Sequence, residues 1–141
     1  MVKVFVYGTL KPGEVNYPTY CADKVVAQTK AMTKGLLYHL PKEGYPAIAI
    51  GDGQVSGYLL EFQDSETLKN LDKLEDYDPF GESSQNFYTR QEVEIYSFKG
   101  DSLGFAWAYF MSMDRICELN GVFLVDGWWL GRNFPIINNY S

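Results

Sequence analysis

The chain opens on Val2-Lys3-Val4-Phe5-Val6-Tyr7, in which Val2, Val4 and Val6 alternate with Lys3, Phe5 and Tyr7. Alternation with apolar side chains on nearly both faces predicts a strand that is central in a core. Val25 to Leu40 predicts a long strand kinked at Gly35 and turned by Pro41-Lys42-Glu43-Gly44. Tyr45 to Ile50 reads as a short apolar strand, Gly51-Asp52-Gly53 as a hairpin turn, and Val55 to Phe62 as the returning strand. Phe87 to Phe98 and Ser102 to Phe110, joined through Lys99-Gly100-Asp101, complete the strands. One stretch changes period: Leu68, Leu71 and Leu74 recur at helical spacing, after Asp64 as N-cap and Glu66 in the positive first turn. Val15 to Cys21 reads as a short turn or helix, Asp114 to Leu119 as a short helix, and the Gly- and Trp-rich tail as irregular structure. Many short strands around one inserted helix predict an α+β fold. Its expected form is a small mixed, largely antiparallel β-barrel with one main helix and short helical segments, built from residues 1–141 as a single domain.

Two places break this pattern and carry chemistry. The first is the abrupt end of the opening strand in Gly8-Thr9-Leu10-Lys11-Pro12-Gly13. Gly8 permits a sharp turn without a Cβ penalty and lets a ligand approach the backbone. The amides of Gly8, Thr9 and Leu10, with the Thr9 hydroxyl beside them, would converge into an anion-binding concavity suited to a carboxylate. An ordinary strand followed by an ordinary turn would read the same way over so few residues.

The second is Glu75. At about 100° per residue it falls between the directions of Leu68 and Leu71, inside the apolar arc, whereas Lys69, Asp72, Lys73 and Asp76 fall outside it on the wet side. A carboxylate aimed at a core is costly unless it is paired, hydrogen-bonded or neutralised. Desolvation also raises its pKa toward the range of a general base, which makes it a candidate for catalysis. The structural alternatives are a buried Glu satisfied by backbone or a tyrosine hydroxyl, or a helix that ends before Glu75.

Composition narrows the classes. At 141 residues, 46% hydrophobic and 16% aromatic, the chain can bury a real core and is not of disordered type. A net charge of −6, with no basic run, speaks against nucleic acid or an anionic membrane as partner. No apolar stretch approaches a bilayer span, and the N-terminus starts directly in a strand rather than a signal peptide. Cys21 and Cys117 show no metal spacing and read as reduced thiols, so a cytoplasmic location is expected. His39 is the sole histidine, which disfavours a multi-histidine metal site and most Ser-His schemes; it is expected to cap or decorate the end of a strand.

Tyr7-Gly8-Thr9-Leu10-Lys11-Pro12-Gly13, Leu71-Asp72-Lys73-Leu74-Glu75-Asp76-Tyr77, Tyr88-Thr89-Arg90 and Val93-Glu94-Ile95 follow one another in an order that resembles the gamma-glutamylcyclotransferase-like proteins. Within them the chain is most similar to the gamma-glutamylamine cyclotransferases and their small bacterial relatives, from residue 2 to about residue 110. It departs at Asp76, where the family commonly has Gly after the catalytic Glu, in the acidic Asp78-to-Asn86 segment, and in the Trp-rich tail. The resemblance implies ring closure: the α-amine of a gamma-glutamyl compound attacks its own γ-carbonyl, 5-oxoproline forms, and the other amine leaves. An α-amino group, with a reference pKa of about 7.7–8.0, is mostly protonated near neutrality and must lose a proton first. One carboxyl group can take that proton and then give one to the leaving nitrogen. Glu75 is the candidate, with Gly8, Thr9 and Leu10 holding the substrate carboxylate or stabilising the developing charge. Tyr7 and Tyr88 match substrate-binding positions of the family, although Tyr7 packing beside Phe5 and Tyr88 packing in the core are the plain readings. No metal or other cofactor is required, and the expected partner is a small gamma-glutamyl substrate.

Arg90 is expected to meet an acidic neighbour on the barrel surface. Trp107, Trp128 and Trp129 are candidates to wall the pocket, with core packing the safer assignment for Trp107. Thr9 and Cys21 as covalent nucleophiles lack a histidine nearby in sequence. Two other classes stay open: a non-catalytic carboxylate-binding domain of the same fold, and an interaction module presenting Trp128 and Trp129.

Overall fold

The computed structural model describes residues 1–78 and 87–134. Its strands are β1 (Val2–Val6), β2 (Val25–Leu40), β3 (Tyr45–Phe62), β4 (Thr89–Tyr96), β5 (Ser102–Phe110) and β6 (Val122–Phe123). The helices are α1 (Tyr17–Tyr20), α2 (Glu66–Leu74) and α3 (Met113–Glu118), with a 3₁₀ turn at Gly131–Asn133. All six strands join one mixed, mostly antiparallel sheet. Pairings β1–β3, β3–β2, β2–β4, β4–β5 and β5–β1 return to their start and close a barrel-like ring. The fold is therefore the α+β, largely antiparallel barrel expected, with β6 added at the edge of β2.

β1 sits between β3, antiparallel, and β5, parallel, and both of its faces are buried as the alternation requires. Val4 and Val6 pack with Leu60, Phe62, Leu68 and Leu71, while Phe5 and Tyr7 pack into a second cluster filled from all five ring strands. Leu71 is completely buried, which is worth about 1.5–3 kcal/mol relative to an exposed leucine.

The hairpin expected at Gly51-Asp52-Gly53 does not form. β3 runs unbroken through it, and the reversal lies one connection earlier, at residues 41–44, so that β2 and β3 pair along almost their whole length. The tight two-residue turns need positive φ at a central residue, and neither Gly51 nor Gly53 has one. Instead the register jumps from Lys34↔Gln54 to Leu36↔Ala49, which leaves residues 50–53 as a bulge opposite Gly35. A Cβ on Gly53 would stand 2.7 Å from the Gly35 carbonyl oxygen and one on Gly51 2.6 Å from Cγ of Leu36, so the glycines serve close approach of β2 and not chain reversal.

α2 starts one residue later than its sequence suggested: Ser65 is the N-cap, and Asp64 contributes by accepting from the Glu66 amide at 3.2 Å. Its far end closes as a Schellman motif. The Asp76 amide donates to the Lys73 carbonyl at 3.3 Å and the Tyr77 amide to the Asp72 carbonyl at 2.9 Å. Asp76 takes φ +53°, the left-handed position where glycine is commonest and Asp or Asn is the usual substitute. That conformation accounts for the departure at position 76. It also fixes Glu75 as the C-cap of α2.

Asp72 is not on the wet side. It is 6% exposed, with one carboxylate oxygen accepting from the Tyr109 hydroxyl and the other from Arg90 Nη1, both at 2.7 Å. Arg90 thus meets an acidic neighbour as expected, but in a nearly buried pair, with its guanidinium 4.6 Å from the Trp107 ring centroid. Trp107 is half-buried there. Cys21 is buried, with its thiol pushed up to about 12 by burial; Cys117 is exposed, and both are free thiols. No helix is long and apolar enough to cross a membrane among the described residues.

Candidate active site

Where β1 ends, its last residues and the following loop form one wall of a cavity of about 370 Å³. The opposite contributions come from the C-terminal end of α2 and from Tyr45, Pro46, Phe87, Tyr88 and Tyr109. Tyr7, Gly8, Thr9, Leu10, Glu75 and Tyr88, the residues singled out from sequence, all line this one space. Only the closed ring can do this, since Glu75 is far from the loop along the chain.

The loop is a tight turn, with the Lys11 amide donating to the Gly8 carbonyl at 3.1 Å and the Asn16 amide to the Thr9 carbonyl at 2.9 Å. Asn16 Nδ2 also donates to the Thr9 hydroxyl oxygen at 2.9 Å, which leaves the hydroxyl proton available to a ligand. Among the described residues, no protein acceptor takes the amides of Gly8, Thr9 or Leu10. Three adjacent amide donors beside a cavity suit an anion. Gly8 does not take positive φ, so the sharp turn does not draw on the left-handed freedom of glycine. Its constraint is steric: a Cβ there would stand 2.7 Å from Cγ of Pro46.

Glu75 lines the same cavity. The residue is only half-buried because one side looks into the cavity, yet its carboxyl is enclosed enough that burial pushes its pKa up to about 7 from 4.5. The hydroxyls around it are neutral at physiological pH. Burial holds Tyr7, Tyr88 and Tyr109 above the ordinary phenol range and pushes Tyr45 up to about 12. Tyr7 is buried and donates to the Tyr109 carbonyl at 2.5 Å, and Tyr88 donates to the Pro46 carbonyl at 2.7 Å. Both therefore serve the cavity wall through their rings, with hydroxyl oxygens left as acceptors.

Tyr45, Tyr109 and Asn16 were not anticipated as lining residues. Strand alternation marks the two tyrosines as apolar positions without saying which space they face, and Asn16 carries no signal beyond its closeness to the loop. Trp128 and Trp129, expected as possible pocket walls, line no part of the cavity. Trp129 is 2% exposed in the second core cluster, which also removes it from any partner surface. His39 stands one residue from the end of β2 but is a buried acceptor, with its Nδ1 taking the Trp129 indole N–H at 3.0 Å. Among the described residues, no three His, Cys, Asp or Glu side chains come together in a way that could hold a metal ion. Of the acidic Asp78-to-Asn86 segment only Asp78 lies within the described residues.

A family model described as gamma-glutamyl cyclotransferase, AIG2-like, matches residues 4–130. The gamma-L-glutamyl-butirosin B gamma-glutamyl cyclotransferase of Niallia circulans is 34% identical over 118 residues, covering 84% of this chain and 72% of that protein. Among solved structures, YkqA from Bacillus subtilis superposes with a TM-score of 0.63 at 26% identity. That match covers 91% of this chain but 39% of the longer YkqA chain. An AIG2-like protein from Mus musculus gives 0.62 at 25% identity, over 79% of this chain and 77% of that one.

Proposed function

We propose that this chain, which belongs to the gamma-glutamyl cyclotransferase, AIG2-like family, closes the gamma-glutamyl group of a small amide into 5-oxoproline and releases the free amine. The observation that carries this reading is a carboxyl group with a pKa near 7 sharing a small cavity with three adjacent loop amides that no described protein group occupies. In this mechanism the substrate carboxylate rests on the amides of Gly8, Thr9 and Leu10. That contact turns the α-amine toward Glu75 and its own γ-carbonyl. The ammonium gives up one proton to solvent, and Glu75 takes a second from the same nitrogen as the amine attacks the γ-carbon. The tetrahedral intermediate then collapses as Glu75 returns the proton to the departing nitrogen. A pKa near the working pH suits both halves of that duty. Folding the substrate back on itself supplies acceleration through orientation. The whole chain, residues 1–141, is proposed to act as one domain and to need no metal or organic cofactor.

Incubation of the purified protein with a panel of gamma-glutamyl amides, followed by mass spectrometry for 5-oxoproline, tests the reading. The panel should include α-amino acid, lysine ε-amine and simple primary amine leaving groups. Release of 5-oxoproline from at least one is expected. Tight binding of these compounds without any release would instead make the protein a carboxylate-binding domain of the same fold.

The loop gives a second expectation. Gly8→Val must displace either the Pro46 ring or the loop, at a cost of about 1–3 kcal/mol for overpacking. Displacement of the loop should raise KM by about tenfold or more while Glu75, held on α2, keeps its place. Steady-state kinetics on the substrate found above would show this, and an unchanged KM would remove the loop from substrate binding.

A further inference from the structure

The proposed chemistry leaves the buried Lys11, the sole histidine and the paired tryptophans unused. We infer that they form one device, a clasp that holds the Gly8–Leu10 loop in its binding shape, with Lys11 as the positioning residue. The inference rests on the reading of that loop given above.

Lys11 follows the last of the three amide donors directly, and it is 1% exposed. A lysine in a surface turn ordinarily carries its ammonium into water, and burying that charge without partners is costly. Here Nζ donates to the Trp129 carbonyl and lies 3.6 Å from the centroid of the Trp128 ring. Glu14, three residues on, accepts the Gly131 amide with both carboxylate oxygens, at 3.2 and 3.3 Å. A Cβ on Gly131 would stand 2.6 Å from Glu14 Oε1, so a side chain there would push the Glu14 carboxylate off this amide. Two consecutive anchors thus tie residues 11–14 to residues 129–131, across 118 and 117 positions of sequence.

The tail end of the clasp is itself fixed. Trp129 donates its indole N–H to His39 Nδ1, and Phe134 stacks on the His39 ring at 3.7 Å. His39 pairs with Pro46 across β2 and β3, and Pro46 is the residue whose ring abuts Gly8. The loop is therefore gripped from the tail through Lys11 and Glu14, and from β3 through Pro46. Short-range bonds add to this: the Lys11 amide to the Gly8 carbonyl, and the Asn16 amide and Nδ2 to the Thr9 carbonyl and hydroxyl. Glu75 stands on α2 and makes no contact with the clasp in any of these bonds. The device should accordingly govern how well the loop is preorganised for an anion, and hence binding, more than the proton transfers.

Lys11→Met tests this, because it keeps an unbranched apolar side chain of similar length and deletes the donor and the charge. Glu14→Ala, at a half-buried position, is the second variant should Lys11→Met fail to fold. On the gamma-glutamyl amide turned over by the wild-type protein, both variants are expected to raise KM about tenfold with kcat within about threefold. Backbone ¹⁵N order parameters at residues 8–10 should fall from rigid values near 0.85 toward about 0.6 or below. Lys11→Arg should recover most of the loss in both measurements. Wild-type KM and order parameters in either folded variant, even with a lowered Tm, would make the clasp a stability feature alone and overturn the inference. If the wild-type protein turns over no gamma-glutamyl amide, the functional reading fails separately, and the order parameters still decide whether Lys11 shapes the loop.

Discussion

Glu75→Gln is expected to keep the fold and lose about 10²–10⁴-fold of ring closure, the usual contribution of a general acid–base group. Gln is close in shape to Glu, so the Schellman cap and the cavity wall survive, but its amide accepts no proton. The wild-type pH profile carries the same signature. With the carboxyl at about 7, the ionised base is scarce below neutrality, so kcat/KM should rise as pH passes upward through that value. The linkage to stability has the opposite sign. A carboxyl whose folded pKa is raised from 4.5 stabilises the folded protein most below the unfolded value, and that stabilisation is lost as pH climbs through about 7. A full shift of that size corresponds to about 3 kcal/mol, and contact with cavity solvent brings the expected figure to about 1–2 kcal/mol. Glu75→Gln should therefore be more stable than wild type at pH 8 and equal to it near pH 4. Denaturant melts at the two pH values check this. Normal turnover in the variant would show that Glu75 is not the base, and absence of the alkaline gain would show that it is not a desolvated group.

Arg90→Met should cause the largest loss of stability, about 3–5 kcal/mol, because it strands the nearly buried carboxylate of Asp72 without its cation. Burial already raises the Asp72 pKa, and the Tyr109 hydrogen bond and Arg90 hold it back. Removing Arg90 pushes it higher, so the variant's deficit should shrink as pH falls and Asp72 takes up a proton. Asp72→Asn combined with Arg90→Met should recover part of the loss, and the double-mutant cycle measures the coupling. Urea denaturation of the four proteins gives all of these values. A loss under about 1 kcal/mol for Arg90→Met would mean that Asp72 is better solvated than its 6% exposure implies. Asp72 lies one turn before Glu75, and its carbonyl closes the cap, so the same pair also pins the end of α2 that carries Glu75.

The sequence by itself determined the elements whose cause is local. Alternation along residues 2–7 specified a strand buried on two faces, and helical spacing of Leu68, Leu71 and Leu74 specified α2 and aimed Glu75 along its apolar side. The glycine-bounded turn after Tyr7 pointed to the loop amides for the same reason, since backbone donors need no particular partner to be recognised. What periodicity does not encode is the identity of a distant neighbour. Gly51-Asp52-Gly53 has the composition of a hairpin, but the φ angles it adopts are set by pairing with β2, and that pairing made it a bulge. Asp72 falls on the polar side of the helical wheel and is nonetheless buried, because Arg90 and Tyr109 arrive from β4 and β5. Lys11, His39 and Trp129 carry polar groups satisfied across 90 or 118 positions, partners that no local pattern marks. The cavity belongs to the same class: Glu75 and the Gly8–Leu10 amides become one site only when the β1–β3–β2–β4–β5 ring closes and sets the end of α2 against the end of β1.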